Sequence, residues 1–277
     1  MTALIIEKPT TPSRRGMVRL KKNFLWKGSP ERSLTKTVKN TGGRNNQGLV
    51  TVQGRINPHR RKIRLVDTKR GQCKAGVIDR LEYDPNRTAH IALVKNQDGT
   101  KEYILATENM KPGMEIGSGQ RAERLEGHCL KLMDIDVGSK IHNIELQPGK
   151  GGKVARGAGV FATLVTKQSG YAEIKLPSKE TRRFSLECRA TLGVLSNAVK
   201  FNRNLGKASN SRYVLKRRPK VRGIAKNPVD HCNGGKANGG CVFRNETGNV
   251  IKGAKTRKKN KFSNIFIVNR RDKGRRR

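Results

Sequence analysis

An acid beside an imidazole, Asp230-His231, is the first place in this 277-residue chain to look for chemistry. A carboxylate can orient a histidine as a general base. Adjacent residues rarely aim both side chains at one reacting atom, however, and no nucleophile motif such as G-x-S-x-G accompanies the pair. Asn227-Pro228 just upstream is a turn former, so Asp230 is expected to brace that turn rather than to catalyse. The run Pro148-Gly149-Lys150-Gly151-Gly152-Lys153-Val154-Ala155-Arg156-Gly157 invites comparison with a nucleotide-binding P-loop. That motif ends Gly-Lys-Ser/Thr, so that a hydroxyl holds magnesium, whereas here Gly157 is followed by Ala158. A basic glycine-rich loop between strands reads better as a clamp on phosphate groups, made of backbone amides with Lys150, Lys153 and Arg156. His231, Cys232 and Cys241 lie in the run HCNGGKANGGC. Zinc ligands ordinarily come in close pairs that repeat. Here eight residues separate the cysteines and no second C-x-x-C follows, so a metal would need a distant ligand such as Cys188 or His142. Free thiols in a reducing compartment are the simpler reading of five irregularly spaced cysteines. No protein-bound cofactor or zinc is expected.

The charge says what the phosphates belong to. Lys and Arg number 61 against 21 Asp and Glu, a net of +40. A compact domain with that charge repels itself unless a polyanion neutralises it. The excess is segregated: residues 1–65 carry a net +14, residues 66–188 only +4, and residues 189–277 +22. Cationic flanks around a balanced centre mark nucleic-acid-binding arms. Turn-forming Gly, Pro and Asn inside the arms argue for specific shape over a merely solvated tail. Within them, Gly42-Gly43-Arg44-Asn45-Asn46 and Asn57-Pro58-His59-Arg60-Arg61 combine backbone freedom, amide donors and guanidinium forks. Arg44, Asn45, Asn46, His59, Arg60 and Arg61 are therefore candidate RNA contacts. The tail at 252–277 is basic too, and Ile265, Phe266, Ile267 and Val268 interrupt it as a possible anchor. No segment approaches the ~20 apolar residues that span a bilayer, so no membrane partner is expected.

These residues need a scaffold. With 34% hydrophobic and 4% aromatic residues the chain affords a modest core only, and the arms are expected to order on their partner. The centre reads as β structure. Short alternating runs at 76–82, 90–94 and 101–105 are separated by turns at Asp84-Pro85-Asn86 and Asn96 to Gly99. A second set follows at 141–146, 160–166, 171–176 and 182–187, punctuated by Ser169-Gly170 and Pro177-Ser178. Residues 190–200 suggest a short helix, and Met110 to Gly127 a connection between two small barrels. No internal repeat of fixed period is evident.

At NPVDH (227–231) and the glycines after it, the chain resembles the universal large-subunit ribosomal protein number two, the bacterial-type uL-two family. GGRNNQG (42–48), RLEYDPNR (80–87), HIALV (90–94), YILA (103–106), PGKGGKVARGAG (148–159), CRATLG (188–193) and LGKA (205–208) resemble it in the same order. The resemblance implies a mainly β fold: a basic N-terminal extension (1–64), an OB-like RNA-binding barrel (65–125), an SH3-like barrel (126–197) and a basic glycine-rich C-terminal extension (198–277). It implies a structural constituent of the large ribosomal subunit rather than an enzyme. Its partners would be large-subunit ribosomal RNA with its associated magnesium, neighbouring ribosomal proteins, and the small subunit across the intersubunit face. It would support subunit association, tRNA placement and assembly of the peptidyl-transferase region. By the same resemblance Arg222, Asn227, Asp230, His231, Gly234 and Gly235 join the candidate RNA-binding residues. Bacterial members continue the motif as Pro-His-Gly-Gly-Gly-Glu-Gly-Arg, whereas this chain has Cys232-Asn233-Gly234-Gly235-Lys236-Ala237-Asn238-Gly239-Gly240, with Lys226 where Met is usual. Those departures, abundant Asn and Lys, and a start where bacterial members start point to a mitochondrial ribosome whose protein is encoded in the organelle. A plastid or the bacterial cytoplasm is the alternative. An RNA-processing enzyme would need a convergent acid-base or metal constellation, and a DNA-compacting protein would not need the β-rich centre.

Overall fold

The computed structural model describes residues 4–56, 61–71, 75–119, 122–215, 217–235, 242–253 and 255–270. The candidates His59 and Arg60, together with Cys241, lie outside them. The chain forms two compact units: one of Met1–Val38, Arg60–Gly206 and Ile265–Arg277, the other of Lys39–His59 and Lys207–Asn264.

The first unit is mainly β, as the alternating runs predict, and its sheets are antiparallel. Strands β1 (Leu4–Ile6) and β2 (Val18–Leu20) pair, as do β3 (Thr35–Thr37) and β4 (Lys62–Arg64). Strands β5 (Ala75–Glu82), β6 (Ile91–Asn96), β7 (Lys101–Leu105) and β8 (Glu115–Gly117) form a sheet of order β7-β6-β5-β8. In β5 the register slips between Ile78 and Arg80, so that Asp79 bulges. The extra residue resets the two-residue alternation and lets Ile78 and Leu81 share one core with Ala92, Val94, Ile104, Met110 and Ile116. Strand β6 departs from the expected alternation: Ile91, Ala92, Leu93 and Val94 are all buried. Its second face packs Ile91 and Leu93 with Tyr103 under Leu34 and Val66, so both faces are covered. Strand β8 lies inside the span read as a connection. Ile116 is buried there, and Gly76 opposite leaves no room for a Cβ, which would stand 2.6 Å from Val94.

After β9 (Cys129–Lys131) and β10 (Lys140–His142), a two-stranded ribbon of β11 (Ile144–Glu145) and β12 (Gly152–Val154) carries the glycine-rich loop. Strands β13 (Ala162–Gln168), β14 (Tyr171–Lys175), β15 (Thr181–Ser185), β16 (Arg189–Leu192) and β17 (Ile267–Asn269) complete a seven-stranded sheet of order β17-β15-β14-β13-β10-β16-β9. Ser169 and Gly170, both at positive φ (48° and 79°), make the tight turn that hairpins favour between β13 and β14. The core is Leu130, Leu132, Ile135, Ile141, Ile144, Leu164, Ile174, Phe184 and their smaller neighbours. The helix expected over 190–200 does not form. Ala190, Thr191 and Leu192 are buried in β16, Gly193 (φ 104°) and Asn197 (φ 67°) turn the chain, and only a 3-10 turn follows at Ala198–Asn202. Both left-handed positions interrupt a helical run. Near the C-terminus β17 pairs with β15, and Arg183 N–H donates to Phe266 O at 2.8 Å, so the apolar interruption does anchor the tail.

The second unit holds no strand among the described residues. Among its described residues the one α-helix is α1 (Ala208–Leu215), in a stretch read as part of a basic arm, and the remaining order comes from 3-10 turns at Gly223–Ala225 and Phe262–Asn264, other turns and isolated bridges. No described helix is long and apolar enough to cross a membrane.

His142 gives the first unit a pH limit. The ring is fully buried, its Nδ1 hydrogen donates to Gly193 O at 2.9 Å, and burial lowers its pKa to about 4. The unfolded chain binds the proton first, near pH 6.5. Stability is therefore expected to be unaffected by this group above pH 6.5, and to fall by on the order of 3 kcal/mol as pH drops from there to 4. Urea unfolding across that range, compared with His142→Asn, measures it: the wild-type curve falls more steeply than the variant's.

Candidate RNA interface

In the first unit the glycine-rich loop is built around a buried carboxylate. Glu145, 1% exposed, accepts from Gly151 N–H at 2.8 Å, from Gly149 N–H at 3.2 Å and from Arg189 N–H at 3.0 Å. Gly152 N–H donates to Thr68 O at 2.8 Å and Lys150 N–H to Gln147 O at 3.3 Å. The amides of Gly149, Gly151 and Gly152 are thus already bonded inside the protein and not free for the expected clamp, because a buried amide needs a partner whether or not a ligand is bound. Gly152 is required by space, since a Cβ would stand 2.2 Å from Asn143 Oδ1. What the loop offers outward is the side chains of Lys150, Lys153 and Arg156, all exposed. Arg61, half-buried, donates to Pro85 O at 2.9 Å and so leans on the Asp84-Pro85-Asn86 turn. Asp84 closes that turn by accepting from Asn86 N–H at 2.8 Å.

In the second unit Arg44 and Asn46 are exposed, while Asn45 shapes the loop from inside. Its Oδ1 accepts from Gln47 N–H and Leu49 N–H, each at 3.0 Å. Gly43 (φ 86°) lies so close to Val52 that a Cβ would stand 2.3 Å from its carbonyl oxygen. The NPVDH segment is a backbone-closed turn: Asp230 N–H and His231 N–H donate to Asn227 O at 3.0 and 3.2 Å. The Asp230 side chain is exposed, so the brace expected of it comes from the Asn227 carbonyl instead. His231 is buried. Its Nδ1 accepts from Asn233 N–H at 3.0 Å, and its ring fills the space beside Gly223, where a Cβ would stand 2.2 Å away. Gly234 and Gly235 are hemmed in by Asn227 O and Pro228. Arg222 and Asn227 are exposed at the rim.

The sequence reading assigned no holding role to three residues that tie these loops, two of them noted only as departures from the bacterial motif. They are Glu145, Asn233 and Lys226. Asn233 Nδ2 donates to Val242 O at 3.0 Å and its Oδ1 accepts from Arg244 N–H at 3.2 Å, tying the turn to the following segment. Lys226 joins Gln53 and Glu246 at 3.2 and 2.9 Å, and its hydrogen bond holds the Glu246 carboxyl below the usual range. The legible signals were the departures from the bacterial motif at Lys226 and Asn233 and the lone acid, Glu145, before the glycine-rich run.

His231 Nδ1 is engaged by a backbone amide, and burial pushes the Cys188 thiol up to about 11, which disfavours the thiolate a metal needs. Among the described residues no three His, Cys, Asp or Glu side chains gather at metal-binding distance.

Exposed cations on internally hydrogen-bonded loops, in the β-rich first unit and in the second, fit an RNA-binding protein of structural kind. The comparisons with known proteins agree. Residues 31–118 match the family described as Ribosomal Proteins L2, RNA binding N-terminal domain, and residues 125–257 match Ribosomal Proteins L2, C-terminal domain. The large ribosomal subunit protein uL2 of Rickettsia massiliae is 48% identical over 267 residues, covering 95% of this chain and 97% of its own. Those of Rickettsia akari and Rickettsia rickettsii match at the same identity and coverage. The chain belongs to the ribosomal protein L2 family, a non-enzymatic structural component of the large ribosomal subunit.

Two substitutions test how these loops are held. Glu145→Gln turns an amide group toward backbone donors and is expected to cost about 1.5–3 kcal/mol per charged hydrogen bond lost. Hydrogen exchange at Gly149 and Gly151 then accelerates. Gly223→Ala drives a methyl into the His231 ring and is expected to cost about 1–3 kcal/mol, read as a lowered melting temperature with faster exchange at Asn233 N–H.

Proposed function

We propose that this protein is an RNA scaffold of a mitochondrial large ribosomal subunit. Its arms (1–64 and 198–277) neutralise ribosomal RNA phosphates, and an OB-like barrel (65–125) and SH3-like barrel (126–197) hold RNA shape between them. The antiparallel order of the two main sheets supports the barrels. So does the way bulged β5 pairs with both β6 and β8. The observation that carries the reading is that both L2 family domains are matched on a chain whose flanks hold +14 and +22.

Lys150, Lys153, Arg156, Arg44, Asn46 and Arg222, all exposed, are the contacts proposed for phosphate and sugar. Arg61 and the described part of the NPVDH loop (Asn227, Asp230, Gly234, Gly235) present backbone and edge polar groups, and Asn45 and His231 keep their loops in shape. His59 and Arg60 complete the N-terminal arm's set. Within the subunit the protein supports association with the small subunit, tRNA placement and assembly of the peptidyl-transferase region, beside neighbouring ribosomal proteins. The similarity to alphaproteobacterial relatives fits a mitochondrial or a bacterial ribosome, and the Lys- and Asn-rich composition favours the mitochondrion over a plastid or the bacterial cytoplasm.

Sedimentation of organelle and whole-cell extracts at moderate and high salt tests this, with the protein followed by mass spectrometry. Co-migration with the mitochondrial large subunit that survives high salt is expected. Recovery in light fractions even at low salt overturns the scaffold reading.

A further inference from the structure

We propose that the second unit carries two copies of one RNA-phosphate grip, and that the loop at 243–251 is the second. At an offset of 200 residues, Arg44-Asn45-x-x-Gly48-x-Val50 recurs as Arg244-Asn245-x-x-Gly248-x-Val250. Four matched residues are weak evidence alone, but four hydrogen bonds and one bridge recur at equivalent positions. Asn45 N–H donates to Leu49 O at 2.9 Å, and Asn245 N–H to Asn249 O at 2.8 Å. Asn45 Oδ1 accepts from Leu49 N–H at 3.0 Å, and Asn245 Oδ1 from Asn249 N–H at 2.8 Å. Gly48 N–H donates to Asn45 O at 3.2 Å, and Gly248 N–H to Asn245 O at 3.0 Å. Thr51 N–H closes on Gly43 O at 3.0 Å, and Ile251 N–H on Phe243 O at 2.9 Å. Arg44 bridges Val50 and Arg244 bridges Val250, both antiparallel. Gly48 and Gly248 share φ +82°, which strains any side chain although the space around each is open.

The pattern assigns roles. The Asn satisfies the inner amides, the Gly permits the left-handed turn, and the Arg is left at the mouth. Both arginines are exposed, and neither pairs with a carboxylate among the described residues. Arg244 Nη1 leans on Gly248 O at 3.1 Å, which orients its fork over the loop. Lys226 bonds Gln53 at the base of one loop and Glu246 at the tip of the other, so those two side-chain oxygens lie within about 6 Å of each other. A guanidinium fork on a rigid loop suits a phosphodiester, which it meets with two parallel hydrogen bonds. Two such forks on loops joined by one lysine suit two phosphates of a single folded RNA. This inference rests on the RNA-scaffold reading and deepens it.

The test is filter binding of the full chain to large-subunit ribosomal RNA over a salt series, using Arg44→Gln, Arg244→Gln and the double variant. Each single variant is expected to lower the slope of log K against log salt by about 0.7–0.9, and the double by about twice that. A wild-type slope for Arg244→Gln beside a reduced one for Arg44→Gln overturns the second grip. Wild-type slopes in both overturn the pair. If the wild-type chain itself shows no salt-dependent RNA binding, the scaffold reading fails first, and that outcome is distinct. A variant carrying the 43–51 sequence at 243–251 keeps the test open should Arg244→Gln not fold: wild-type binding by this graft upholds the equivalence, and loss of binding in a graft that melts like the wild type overturns it.

Discussion

The excess of cations governs this structure. With 61 basic residues against 21 acidic ones, a carboxylate placed at the surface would cancel charge that the RNA partner needs. Some of the scarce acids are accordingly drawn inside and used as hydrogen-bond acceptors. Glu145 gathers backbone amides from its loop and from Arg189. Glu82, 3% exposed, accepts from Arg80 Nε at 2.8 Å and from Tyr103 OH at 2.9 Å, beneath a strand buried on both faces. Asp84 closes the turn after β5. Each stabilises the fold where screening by water is weakest; other acids, such as Asp98, Glu115 and Asp136, remain at the surface among the lysines and arginines.

A second consequence follows for the loops. A chain with so few apolar residues cannot support long basic loops by packing. Their shape comes from short polar side chains that satisfy backbone groups locally, such as Asn45, Asn233 and Asn245, and from glycines packed against neighbouring backbone, such as Gly152 and Gly234. The same economy explains why the 148–157 loop looks like a nucleotide-binding loop without being one. Both need closely spaced glycines to turn the chain, but here Glu145 converts the amides from ligand donors into internal ties.

The two units distribute this work differently. The first holds its loops on sheets with real cores, around Leu164 and Ile174 on one side and Ala92 and Val94 on the other. The second has no sheet among its described residues, and is held by turns, bridges and the Lys226 contacts. Its residues come from two sequence segments far apart, which is why its two matching loops are hard to see along the chain.

Much of the protein was legible from residue order alone. Charge segregation, alternating runs and turn dipeptides such as Ser169-Gly170 identified the β centre and the cationic flanks, because these depend on composition and local backbone preference. Motif order across nearly the whole length identified the family. Tertiary structure decided the rest. Whether 191–192 was strand or helix depended on β9 and β10 lying on either side. Whether β6 alternated depended on a second layer covering its outer face. Whether the glycine loop offered its amides depended on the Glu145 side chain turning inward beneath it. The pairing of 43–51 with 243–251 depended on hydrogen bonds that four shared residues do not announce. Local preference is written in neighbouring residues, but which polar group faces which partner is set by parts of the chain that meet only when it folds.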